Sequence, residues 1–142
     1  MSISGLIACS RHKPHQDEWD KANMRDIAIS DSRFQQAVAQ TQDSLAIFLS
    51  RFKAYSRDTS YQFYIKSDFE EREYIESMWS RPIEVVGQSL RSVLDNQPRN
   101  LQQIHLGDTV LIEFKQIVDI DITHQDSLLM GNYINKQMNN AH

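Results

Sequence analysis

The hydrophobic period of this chain changes once, near residue 59, and that change limits the folds open to it. Before it, Phe34, Val38, Thr41, Leu45, Phe48 and Phe52 recur at spacings of four, three, four, three and four, which is one face of an α-helix. After it, Tyr61, Phe63 and Ile65 alternate with Gln62, Tyr64 and Lys66, which is a half-buried strand. One long helix followed by several short strands has to bury the helix stripe on a sheet, so the expected class is α+β.

Asp31-Ser32 supplies an N-cap signal, and the spacing predicts a helix from Ser32 to Ala54, with Ala39 and Leu49 widening the apolar stripe. A helix lying on a membrane would carry Lys and Arg on its polar face. This one carries Gln35, Gln36, Gln40 and Gln42, which suits a core helix, or an interface helix as second choice.

In the second half, Ser67-Asp68 is expected to turn the chain, and Glu71 to Ser80 to form a strand. That strand sets Ile75 and Trp79 on one face and Tyr74 and Met78 on the other. Pro82 demands an edge or a bulge, because proline donates no ladder hydrogen bond. Gly87-Gln88 is the turn of a hairpin between Ile83–Val86 and Ser89–Leu94, and Asp95-Asn96-Gln97-Pro98 is dense turn chemistry. Thr109 to Phe114 is apolar on both faces, as a central strand would be. Val118, Ile120 and Ile122 alternate with Asp119 and Asp121, which predicts a strand with one wet face. Leu128 to Met138 ends the fold as a strand or a short helix, broken at Gly131. The expectation is an N-terminal amphipathic helix packed on one antiparallel sheet of about five or six strands. Residues 30–142 form the single domain, and 1–29 a tail or tether.

Composition excludes several functions. The chain has 142 residues and a net charge of −4, with no apolar run near the roughly 18 residues of a membrane span. Residues 59–142 carry 7 basic and 12 acidic side chains, so an aromatic sheet there lacks the basic rim that nucleic acid needs. The lone Cys9 forms no intrachain disulfide. Leu6-Ile7-Ala8-Cys9 has the form of a bacterial lipobox, but no basic residue or long apolar run precedes it. Either the true start lies upstream and Cys9 receives lipid that tethers the domain to the envelope, or the match is chance and the chain stays in the cytoplasm. His12 and His15 have no clear third ligand to make a metal site.

The chain resembles the YegJ-like family, a bacterial domain of unknown function. Asp31-Ser32-Arg33-Phe34-Gln35-Gln36-Ala37 with Leu45 and Phe48 is similar to its capped helix. The resemblance continues through Phe63, Ile65, Glu76 and Met78-Trp79, then Asn96-Gln97-Pro98 and Gly107-Asp108-Thr109-Val110. It ends with Ile117-Val118-Asp119 and Leu129-Met130-Gly131-Asn132-Tyr133. It runs from Ser30 to Lys136, departing from the family pattern at Ser77, Gln97 and Ile120. The resemblance implies a compact α+β domain, in some members behind a lipoprotein signal, and it implies no activity.

No nucleophile elbow, phosphate-binding loop or dinucleotide fingerprint is present, so no catalytic residue and no cofactor is expected. Tyr64, Tyr74 and Trp79 cannot all face one core, and Tyr and Trp in a desolvated patch are what binding hot spots use. The first reading is a non-enzymatic binding domain that docks a protein partner on an acidic, partly aromatic sheet face, for example an immunity-like protein masking a basic toxin. The alternative is a metal-dependent or hydrolytic protein using Asp108, Asp119, Asp121 and His124, since hard cations prefer carboxylates. Set against it is a solvent-facing acidic row beside a buried aliphatic one.

Overall fold

The computed structural model describes residues 31–139. Cys9, His12 and His15 lie outside the described residues. The helix α1 spans Ser32–Tyr55. Asp31 caps it, its carboxylate accepting the Arg33 N–H at 2.8 Å. The Arg33 guanidinium, and after it that N–H, hold the Asp31 carboxyl down to about 2. The predicted stripe is buried, with Phe34, Ala37, Thr41, Leu45, Phe48 and Phe52 inside.

Six strands follow: β1 Tyr61–Glu71, β2 Tyr74–Val86, β3 Ser89–Leu94, β4 Thr109–Glu113, β5 Ile117–His124 and β6 Ser127–Gly131. They form one antiparallel sheet in the order β4-β3-β2-β1-β5-β6. A short helix, α2, spans Tyr133–Asn139. Leu128 to Met138 is therefore both a strand and a helix, divided at Gly131. The fold is α+β with a short C-terminal helix, as expected.

Helix α1 lies on the face that carries Phe63, Ile65, Val118, Ile120 and Ile122. Phe63 meets Phe48 and Phe52 edge-on, with ring centroids 5.8 and 5.4 Å apart, a favoured aromatic geometry. Thr41, wholly buried, donates its hydroxyl to the Val118 carbonyl at 3.1 Å. A smaller core of Met78, Leu94 and Leu101 sits under the 95–108 loop. Glu76 fixes that loop by accepting the N–H groups of Arg99, Asn100 and Leu101. Glu71 accepts those of Gln102 and Gln103.

Three expectations are corrected. Ser67-Asp68 is not a turn but lies inside β1. Asp68 stands directly opposite Ser77, whose hydroxyl donates to its carboxylate, and the turn falls at Arg72, with φ 57°. The strand at Thr109 is an edge strand, with Ile112 its one buried residue and Leu111 57 % exposed. The Asp119/Asp121 row is not wet: β5 is buried at every position from Ile117 to Ile122.

Pro82 sits where it was expected. The β1–β2 ladder ends at Ile65↔Ser80, and a bulge in the β2–β3 ladder falls between Pro82 and Glu84, so its missing N–H breaks no bond to β1. Beyond it, Gly87 takes φ 61° at the first central position of the two-residue hairpin turn, the position a type II′ turn reserves for glycine.

Asp119 ties β5 to α2. Its carboxylate accepts the N–H groups of Tyr133 at 2.9 Å, Ile134 at 3.0 Å and Ile120 at 2.9 Å, satisfying donors a helix start leaves orphaned. Burial pushes the carboxyl up to about 7, against the pull of those N–H groups and of the Lys66 charge. Gly131, with φ 101°, lets the chain pass so close to β5 that a Cβ there would lie 2.0 Å from the Ile120 carbonyl oxygen.

Two predictions test this joint. Gly131→Ala is expected to destabilise the domain by at least about 2 kcal/mol, read as a lowered urea midpoint. For Asp119, the unfolded carboxyl ionises near 3.8 and the folded one near 7. Between those values the folded chain keeps a proton the unfolded chain has released, so this group's stabilising contribution falls as pH rises. The stability of the wild type relative to Asp119→Asn is expected to drop between about pH 4 and pH 7 and to level off above. Urea titrations at stepped pH check it; a difference that rises across the window refutes the raised pKa.

Candidate functional site

Strand pairing decides which of the predicted site residues meet. Lys66 stands opposite both Trp79 and Asp119, and Tyr64 opposite Asp121. These five therefore share the sheet face turned away from α1. The Lys66 Nζ lies 5.5 Å from the centroid of the Trp79 ring, within cation–π range. Burial raises the Tyr64 hydroxyl above its usual range, with the Asp95 charge adding to the effect and Arg81 opposing it.

This cluster is not the exposed aromatic patch expected from the sequence. Trp79 is 0 % exposed, and Asp119 and Asp121 are buried. Tyr74 pairs with Glu71 at the far end of β2 and lies on the opposite face, 42 % exposed. Tyr64 and Trp79 are brought together and Tyr74 is not. A buried tryptophan beside a lysine packs the domain and offers no partner an anchoring ring.

Nor do Asp108, Asp119, Asp121 and His124 converge. Asp108 lies in the loop before β4, where it accepts the His105 N–H at 2.9 Å. Asp119 caps α2. His124 ends β5 and stacks on Tyr61 with centroids 4.2 Å apart, and Tyr61 stacks in turn on Tyr55 at 4.7 Å. Among the described residues no three His, Cys, Asp or Glu side chains are grouped to hold a metal ion.

The structure presents a different candidate. Between the C-terminal half of α1 and the β2–β3 hairpin lies a solvent-open groove of about 910 Å3, a size typical of small-molecule sites. Leu49, Phe52, Val85 and Phe114 supply its apolar surface, with Lys53 and Arg57 among the polar lining. Val85 is 46 % exposed. Gln42 holds the Phe114 side in place, donating from Nε2 to the Phe114 carbonyl at 2.9 Å and the Ile117 carbonyl at 2.8 Å. Among the described residues, Lys53 and Arg57 enter no hydrogen bond or ion pair. The sequence contained one signal of this site: two cations four residues apart, in the last turn and just past the end of a helix rich in glutamine.

A family model described as "Uncharacterized protein conserved in bacteria (DUF2314)" matches residues 31–141. No curated protein and no solved structure matches the chain.

Proposed function

The chain belongs to this family of uncharacterised bacterial proteins, and we propose that its domain works by non-covalent binding rather than catalysis, through the groove between α1 and the β2–β3 hairpin. The observation that carries this reading is the pairing of apolar side chains open to solvent with two cations, Lys53 and Arg57, that have no partner among the described residues. Binding sites combine apolar walls with a few polar groups that orient the ligand. The Asp/His set of the metal-dependent alternative is dispersed. An immunity-like role on an acidic sheet face loses two of its acids, Asp119 and Asp121, to burial. The YegJ-like resemblance over Ser30–Lys136 fits a stand-alone domain of this kind.

A compatible second proposal rests on the Leu6-Ile7-Ala8-Cys9 run: lipid on Cys9 would hold the binding domain at an envelope membrane. Intact mass of the protein recovered in detergent is expected to show an acylated species beginning at Cys9, and an unmodified N-terminus removes the tether.

The groove reading is tested by native mass spectrometry of the chain recovered from a bacterial host. The wild type is expected to carry a bound species that Val85→Glu sheds while melting at the same temperature. A wild type that carries nothing, or a variant that retains what the wild type holds, overturns it.

A further inference from the structure

We infer that this groove takes a single-chain amphiphile with an anionic head, such as a free medium-chain carboxylate; the inference rests on the groove being the binding site. The head would meet Lys53, in the last turn of α1, and Arg57, just past the Ser56 C-cap. Their place there already suits the negative end of the helix macrodipole. That role uses position alone and leaves every N–H donor of both side chains available. The alkyl chain would run back along Phe52, Leu49 and Ala46, with Val85 and Phe114 across from it. From Ala46 to Lys53 the helix advances about 10 Å, and Arg57 lies about a turn further on. An extended alkyl chain of roughly that length fits the trough end to end.

The chemistry of the lining suits this occupant. Among the described residues it contains no carboxylate and no side-chain amide. An alkyl chain brings no polar group that needs a partner, and its removal from water is favourable in proportion to the apolar area covered. Charge points the same way. The chain as a whole carries −4, yet among the described residues the groove is lined by two cations and no acid, so an anion is drawn to this place and repelled from most others.

The experiment is calorimetric titration of the full chain with monomeric laurate, against acetate and dodecyltrimethylammonium. Laurate is expected to bind one to one, acetate not at all, and the cationic amphiphile at least tenfold more weakly than laurate. The double variant Lys53→Glu/Arg57→Glu, both exposed positions, is expected to weaken laurate roughly tenfold with an unchanged melting temperature. Four results overturn the inference: no laurate binding, equal binding to the double variant, binding to anionic vesicles in place of the free monomer, or a dimer in light scattering that closes the groove. If laurate fails while Val85→Glu still sheds a species carried by the wild type, the occupant is wrong and the groove remains the site. If both fail, the binding reading falls with it.

Discussion

The connection from β4 to β5 is three residues long, Phe114–Gln116 in a single 3-10 turn, and it decides the shape of the sheet. Four Cα steps reach at most about 15 Å. In a flat sheet the same strands, with β3, β2 and β1 between them, would be about 19 Å apart across the ladder alone. They are also offset along it, because Glu113 pairs at the start of β3 while Ile117 pairs with Ser67 deep in β1. The sheet must therefore curl, and the break in β2 at Pro82 and Glu84 is where it can. A bulge increases local twist and bends its strand, and past it β2 leaves β1 and continues with β3 alone. Gln42 fastens both ends of the link to α1.

The groove is a product of that curl. Val85 and Gly87 belong to the part of the hairpin beyond the bulge, and Phe114 to the link itself. They face α1 across a trough because the turned ribbon comes back toward the helix without packing onto its last turns. The opposite side of the sheet holds a buried polar cluster around Lys66, Trp79 and Asp119. The open apolar surface at the helix end is the result of one bent strand.

Much of this architecture was legible in the residues. The helix stripe, the Asp31 cap, the Gly87-Gln88 turn and the break at Gly131 all follow from local chemistry, and the structure has each of them. What failed was non-local. Alternation at Val118 to Ile122 marks two faces of a strand but does not say that both are covered, so Asp119 looked wet until its carboxylate was seen capping a helix fourteen residues later. Thr109 to Phe114 looked central because it is apolar on both sides, yet its outer residues stay exposed at a sheet edge. Lys53 and Arg57 take their meaning from a hairpin whose turn lies about thirty residues on, which no local pattern announces.

The bond from Thr41 to the Val118 carbonyl joins residues 77 positions apart, and this has a consequence for how the protein is made. Helix α1 leaves the ribosome well before the strand that buries it. At roughly 5–20 residues per second, its phenylalanine stripe waits about 4–15 s for β5 to be synthesised. During that interval the β1–β2 hairpin can form but cannot yet gain β5 as a neighbour on its open side. The nascent chain thus passes through a stage with an uncovered apolar helix and an unpaired strand edge, the kind of surface that molecular chaperones engage.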